Sequence, residues 1–258
     1  MTKHYLKFAK NIYTQFGEDG IIEELFKNLN IEGGVVMEFG AWDGIYLSNT
    51  YRLWRYNKKF KAVLIESDIS KYNEMAAMIK PFRNVKCFNS FVSPKKEDVF
   101  SVDNILNGCI FDTDPNSLSL ISIDVDSCDY HIFESVCEHK PKVFIVEAGA
   151  GDVYDMDYIS YDSGCSLKST TELAASKGYK LVCHTGNGIY VRNDLVDKLP
   201  KSDYSPASLY CNHKEIDVLA KTGPDGKVME QIYFLTAPYQ AFIDKEKSEN
   251  IHYNPNFH

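Results

Sequence analysis

The sequence predicts an α/β fold, a doubly wound, mostly parallel seven-stranded sheet with an antiparallel last strand. Three observations carry this. Short apolar runs alternate with stretches of helical periodicity, the pattern of a parallel sheet covered by helices on both faces. Those runs are apolar almost without a break, as doubly covered strands are. Near the end, YKLVCH and IYVR flank T-G-N-G, a hairpin signal that reverses the final strand.

The first helix is expected at 21–29, where Ile21, Ile22, Leu25, Phe26 and Leu29 share one stripe. Glu18 and Asp19 suit the positive end of its dipole. Strands follow at 35–39, 62–66, 85–88, 118–125 and 143–147, with helices near 49–56, 70–80, 99–106 and 129–138. Tyr72, Met75, Ala76 and Ile79 recur at helical spacing behind a Ser70 cap. Ile132, Phe133, Val136 and Cys137 do so behind Asp129, and Pro141 marks the stop. Ser169 and Glu172 read as a capping box for a helix closing at Gly178. The hairpin strands are 179–184 and 189–192. Beyond Arg192 the pattern weakens to a short helix at 194–199 and a G-P-D-G turn at 223–226. Residues 1–192 are therefore read as one cofactor-binding domain. Residues 193–258 form an extension packed on it, serving substrate binding or dimerisation.

Composition narrows the function. At 258 residues the chain buries a large core without staples, and 44% hydrophobic with 25% charged residues is ordinary for a globular protein. A net charge of -8 argues against a nucleic-acid partner. The run Arg52, Arg55, Lys58, Lys59 and Lys61 reads as a solvated helix face and turn. Seven cysteines without a C-x-x-C pair fit neither a metal finger nor a disulfide scaffold, and suit reduced cytoplasmic thiols. The N-terminus lacks a signal-peptide run, and no stretch reaches the ~18 apolar residues of a membrane span.

Chemistry concentrates in two places. In VVMEFGAWDG (35–44), Glu38 stands near a strand end and Gly40 and Gly44 allow a tight turn close to a ligand. About 20 residues further on, Glu66 ends the run AVLIES, an offset suited to hydrogen bonding ribose hydroxyls. The pair points to an adenosine-containing cofactor. Leu47 fills the place of the third glycine of a dinucleotide fingerprint, which weakens a nicotinamide reading. In SIDVDSCDYHIFESV (122–136), Asp124 sits at the carboxyl end of a central strand. Asp126 shares its face if the strand persists. Asp129 follows as a helix cap, and Glu147 ends the neighbouring strand.

Acids meeting at strand ends repel, and a cation, a shared proton or a cationic ligand relieves them. A sulfonium cofactor would serve. So would a divalent cation, Mg or Mn, with Asp126 and Glu147 as its candidate ligands. His131 is a candidate general base or a helix-surface histidine, and His184 ends its strand. The loop 148–165 carries Asp152, Asp155, Asp157 and Asp162 among Tyr154, Tyr158 and Tyr161, as a lid or as a solvated loop.

Six blocks, QFGEDGIIEELF, VVMEFGAWDGIYLSNT, VLIESD, SIDVDSCDYHIFES, KVFIVEAG and SGCSLKSTTELAASKGYKLV, together resemble the FkbM-like methyltransferases. The resemblance runs in order across residues 12–192 and leaves the extension uncovered. It implies a class I, Rossmann-like fold that binds S-adenosylmethionine and methylates a hydroxyl of a sugar or other secondary metabolite. Carried over, Glu38, Gly40, Asp43 and Asn49 surround the methionine half, Glu66 meets the ribose, and Asp124 lies beside the methyl group. Ser127 stands where such relatives commonly have glycine.

The expected activity is O-methylation of a small polar acceptor, a sugar or nucleotide-linked sugar of surface-glycan biosynthesis, in the cytoplasm. Asp124 or Asp126 would orient or deprotonate its hydroxyl, with His131 as the rival base. Two other classes compete. A nicotinamide-dependent sugar oxidoreductase or epimerase predicts a parallel last strand, and Tyr210 with Lys214 supplies a Y-x-x-x-K spacing. A non-catalytic cofactor-binding protein predicts binding without turnover.

Overall fold

A computed structural model describes residues 3–109, 117–149 and 153–220, with positions 245, 247 and 248. Its strands are β1 (Gly34–Phe39), β2 (Phe60–Glu66), β3 (Val85–Asn89), β4 (Leu118–Ile123), β5 (Val143–Glu147), β6 (Tyr179–His184) and β7 (Asn187–Arg192). They form one seven-stranded sheet in the order β3-β2-β1-β4-β5-β7-β6. Every neighbouring pair from β3 to β5 is parallel, and β7 runs antiparallel to both β5 and β6. This order with a reversed β7 is the class I methyltransferase, Rossmann-like sheet, and it departs from the parallel last strand of the oxidoreductase reading.

The helices are α1 (Glu18–Leu29), α2 (Tyr51–Tyr56), α3 (Ile69–Ile79), α4 (Val102–Cys109), α5 (Asp129–Ser135), α6 (Leu167–Ser176), α7 (Pro206–Leu209) and α8 (His213–Ala220). Alternation along the strands sorts them into two layers. Val36, Leu64, Leu120 and Ile145 face Ile21, Leu25, Trp54 and Met75 of α1–α3. Met37, Val63, Ile121 and Phe144 face Leu106, Ile132, Phe133 and Ala174 of α4–α6. Leu195 and Leu199, in and after a 3-10 turn at Asn193–Lys198, join the first layer, and Leu209 of α7 joins the second. Leu195, Leu199 and Leu209 thus pack against the sheet from its two sides. The G-P-D-G turn and Asp152 lie outside the described residues.

Several boundaries differ from expectation, each for a local reason. Helix α1 begins at Glu18 because Gly17 (φ 92°) breaks the chain just before it. In its first turn the buried Asp19 carboxylate accepts the N–H groups of Ile12, Tyr13 and Thr14 at 2.8, 2.7 and 3.0 Å. The cap of α3 is Asp68, which accepts from Lys71 N, rather than Ser70. The cap of α6 is Ser166, which accepts from Ser169 N, in place of the Ser169–Glu172 box. Helix α4 starts at Val102, after a turn in which Ser101 N donates to Asp98 O at 3.0 Å. Helix α5 stops at Ser135, where Lys177 Nζ donates to the carbonyls of Glu134 and Val136 at 2.8 and 2.7 Å. Strand β4 ends at Ile123 rather than at 125, and Asp126 has a left-handed φ of 60°. Among the described residues no helix is long and apolar enough to cross a membrane.

Candidate functional site

A cleft of about 460 Å³ opens over the carboxyl ends of β1, β2 and β4, where the strand order reverses direction. Its walls are the glycine loop (Gly40, Trp42, Tyr46 and Leu47), the β2 exit from Ile65 to Asp68, Ser90–Val92 after β3, and the turn from Asp124 to Cys128. Gln15 and Ile132 complete it. The loop after β1 is bent by repeated left-handed residues, Gly40 (φ 71°), Trp42 (φ 50°), Gly44 (φ 83°) and Leu47 (φ 56°). Glycine is needed at position 40, because a Cβ there would meet the carbonyl oxygen of Asp124.

Glu66 ties this loop to β2. Its two carboxylate oxygens accept from Trp42 N at 2.8 Å and Asp68 N at 2.7 Å. A carboxylate has about four acceptor positions, so capacity remains for ligand hydroxyls. Glu38 has a different place. It is buried, and its carboxylate accepts from Ser48 Oγ, Asn49 N and Thr50 Oγ1, each at 2.6 Å. Burial raises its pKa above the usual carboxyl value, and these three donors partly offset the shift.

Asn49 Nδ2 donates to Ser122 Oγ at 3.0 Å, and Asp43 accepts from Ile45 N and Tyr46 N at 3.0 and 2.8 Å. Lys247 Nζ, in the extension, lies 2.6 Å from Asp43 Oδ2. Of the six positions expected around a cofactor, Gly40, Glu66 and Asp124 line the cleft. Glu38, Asp43 and Asn49 are absent from its walls and hold the loop in shape from within the fold.

The acidic turn does not keep strand alternation. Asp126 is exposed in its left-handed conformation, and it lines the cleft mouth with Asp124 and Ser127. The partner that converges on Asp124 is Asp129, whose carboxylate is fully buried and accepts from Val125 N and Ser127 N at 2.8 and 3.1 Å. Asp129 follows the cap residue Cys128 instead of capping α5 itself. One carboxylate oxygen each of Asp124, Asp129 and Glu147 lies within 4.8 Å of the other two. Asp126 is outside this convergence, so the oxygens that could hold a metal together differ from the pair read in the sequence. Burial first, then the charges of Glu147, Asp129, Asp126 and Glu18, holds the Asp124 carboxyl well above its usual range. Burial and the neighbouring acids push Glu147 up to about 7, and burial pushes Asp129 up to about 6.

The histidines stand elsewhere. His131 stacks on Tyr161 with ring centroids 3.7 Å apart and is not part of the cleft wall. His184 is buried; its Nδ1 accepts from Cys211 N at 3.0 Å and its Nε2 faces the carbonyl of Ala148 at 3.3 Å. Burial lowers its pKa to about 4 and keeps it neutral. Tyr210 stacks on His184, away from the cleft. The described part of the 153–165 loop is anchored by Gly164 N, which donates to Ser127 O at 3.0 Å, and none of its residues lines the cleft.

Sequence reasoning missed Gln15, Trp42 and Phe91 as wall residues. The Q-F-G-E-D string held a signal for the first, because Asp19 and Glu18 fold the 12–16 segment over the cleft.

The strand order, the reversed β7 and a cleft at the reversal point define a class I methyltransferase fold. No protein-family model matches the chain, and no curated protein matches it. Among solved structures it is similar to an S-adenosylmethionine-dependent methyltransferase from Aquifex aeolicus, at 13% identity, over 74% of this chain and 98% of that one, with a TM-score of 0.41. It is similar to a geranyl diphosphate C-methyltransferase from Streptomyces coelicolor A3(2), in complex with Mg2+, geranyl diphosphate and S-adenosyl-L-homocysteine, at 10% identity, over 90% and 76%, with a TM-score of 0.44. A third similar structure is the O-methyltransferase StiE O-MT, at 13% identity, over 90% and 70%, with a TM-score of 0.39.

Proposed function

We propose that this chain is an S-adenosylmethionine-dependent O-methyltransferase acting on a hydroxyl of a small polar acceptor. The observation that carries the reading is the cleft at the strand-order reversal, with Glu66 on one wall and Asp124 on the other. Its residues fit the cofactor. Glu66 keeps acceptor capacity for ribose hydroxyls, and the acidic exits of β4 and β5 suit a positively charged ligand. When bound, S-adenosylmethionine supplies an electrophilic methyl group.

The chain's part is chiefly positioning, because methyl transfer is an in-line displacement. Asp124 or Asp126, both on the cleft wall, would orient the acceptor hydroxyl and take its proton as the new O–CH3 bond forms and the S–CH3 bond breaks. At the half-buried Asp124, burial and the neighbouring acids raise the carboxyl's pKa, which strengthens its carboxylate as a proton acceptor. A sugar or nucleotide-linked sugar as acceptor rests on the resemblance of the six sequence blocks. Isothermal titration with S-adenosylhomocysteine tests the cofactor, and transfer of labelled methyl to a sugar panel tests the acceptor class. No binding at millimolar ligand would end the proposal. Binding without turnover on any acceptor would leave a non-catalytic cofactor-binding protein.

A further inference from the structure

The segment leading into α1 is held by buried polar side chains at almost every step. The N–H groups of Ile12, Tyr13 and Thr14 go to Asp19, and those of Phe16 and Gly17 go to Glu18 Oε2 and Asn11 Oδ1. Asn11 Nδ2 in turn donates to the carbonyls of Gln15 and Leu219 at 2.9 and 3.0 Å. Asn11, Glu18 and Asp19 are all buried, and two carboxylates are tolerated there because their hydrogen bonds are made. Of residues 11–19, it is Gln15 that reaches the cleft wall. A backbone fixed on both sides of position 15 thus presents one side chain to the cleft.

The fold makes no use of that side chain. The main-chain carbonyl of Gln15 is bonded, whereas among the described residues its side-chain amide has no hydrogen-bond partner. Its neighbours place it at one end of the cleft. Glu18 accepts from Thr185 Oγ1 at 2.7 Å and from Asn187 Nδ2 at 3.1 Å, where β7 begins, and its charge acts on Asp124. Phe16 lies against Gly186, between those two partners. The 15–18 segment therefore flanks the exit of β4 and the start of β7. Glu66 ends β2, which the sheet order puts on the other side of β1.

We infer that Gln15 reads the acceptor: its amide holds the hydroxyl next to the one that is methylated, so the acceptor is a vicinal diol, as in a sugar or other polyol. The inference rests on the S-adenosylmethionine reading of the cleft and extends it. A primary amide sets an acceptor oxygen beside a donor nitrogen, so it can accept one O–H and donate to the next oxygen along a polyol. The reacting hydroxyl itself belongs to Asp124, because an N–H donated to that oxygen would occupy the lone pair that attacks. Asp124 accepts the proton, the O–CH3 bond forms, and the S–CH3 bond breaks with its electron pair staying on sulfur. Gln15 exchanges no proton in this step. It is a positioning residue that fixes the angle of approach. A site built to hydrogen bond a hydroxyl rejects the analogue that lacks it.

The test uses the full chain carrying 15N in its glutamine side chains. The only other glutamines are Gln231 and Gln240, and the spectrum of Gln15→Leu identifies the Gln15 signal. The probes are methyl glycosides of the common hexoses, each paired with its monodeoxy analogues, added with and without saturating S-adenosylhomocysteine. At least one glycoside should move the Gln15 amide signal, and removing one particular hydroxyl should abolish the effect. With that glycoside as acceptor, Gln15→Leu should raise KM at least tenfold and keep kcat within threefold, with S-adenosylhomocysteine affinity within twofold. Its melting temperature should stay within about 2 °C of the parent, since the amide holds nothing in the fold. A Gln15 signal unmoved by every glycoside at hundreds of millimolar would overturn the inference. So would equal binding of all the deoxy analogues, or a tenfold loss of S-adenosylhomocysteine affinity in Gln15→Leu, which would make Gln15 a cofactor contact. The two readings fail separately. A chain that binds S-adenosylhomocysteine but no glycoside at Gln15 loses only this inference, and one that binds a glycoside there but no S-adenosylhomocysteine loses only the cofactor.

Discussion

The α-carbon of Gly40 approaches the carbonyl of Asp124 so closely that a Cβ built there would stand 1.8 Å from its oxygen. The exits of β1 and β4 are therefore locked together by backbone, and the two walls of the cleft cannot shift independently. Position 40 also has a φ of 71°, which side chains resist.

Gly40→Ala should accordingly lose about 2–3 kcal/mol of stability through overpacking and strain. S-adenosylhomocysteine affinity should fall at least tenfold with it. Urea unfolding and calorimetric titration read the two effects. Native stability and native affinity together would contradict the close approach.

Glu66 holds Trp42 N and Asp68 N on separate oxygens. Glutamine has one acceptor oxygen and would turn its NH2 toward the other N–H. Glu66→Gln is expected to weaken S-adenosylhomocysteine binding at least tenfold, about 1.4 kcal/mol. An affinity within twofold of the parent would remove Glu66 from the site.

Asp19 binds three consecutive backbone N–H groups, those of Ile12, Tyr13 and Thr14. Asp19→Ala would leave several of them without an acceptor, at about 1–3 kcal/mol each. A loss of about 3 kcal/mol is expected. The 12–16 segment should loosen, and amide exchange there should quicken while the β1 and β4 amides keep their protection.

The buried His184 sets a pH dependence. Unfolded, it binds a proton below about 6.5; folded, it does so only near 4, because burial disfavours the charged form. Between these values the unfolded state holds more protons, so stability falls as pH drops from about 6.5 toward 4. The slope from this group is about 1.4 kcal/mol per pH unit at most. His184→Gln should be less stable at neutral pH and show a flatter fall in melting temperature over that window. An unchanged slope would contradict a neutral buried imidazole.

His131 is stacked on Tyr161 and stands apart from the cleft wall, whereas Asp124 is on it. His131→Ala should retain methyl transfer within about threefold, and Asp124→Asn should lose about 10²–10⁴ of it if the carboxylate takes the acceptor proton. The reverse ranking, measured at saturating cofactor, would make the histidine the base.

Much of the fold was legible because it depends on local pattern. The apolar runs at 35–39 and 62–66, the helical stripe of Ile21, Leu25 and Leu29, and the hairpin around Gly186 and Gly188 all appear where periodicity and turn chemistry put them. Caps were less legible. Ser70 and Ser169 are sound capping residues, yet Asp68 and Ser166 do the capping, since the helices begin earlier than their apolar stripes. The candidate site was legible in its strand-end acids and its glycine turn, and illegible in who meets whom.

By itself the sequence determined the alternating layers, the reversed last strand and the presence of Gly40, Glu66 and Asp124 at strand exits, because each follows from spacing along one segment. Tertiary structure alone decided that Asp129, not Asp126, joins Asp124 and Glu147, and that Glu38 braces a loop. The reason is geometric. Strand β4 ends at Ile123 and the φ of 60° at Asp126 cancels the alternation that would have paired the two acids. Contacts between separate strand ends depend on where each strand stops, which no spacing along one segment records.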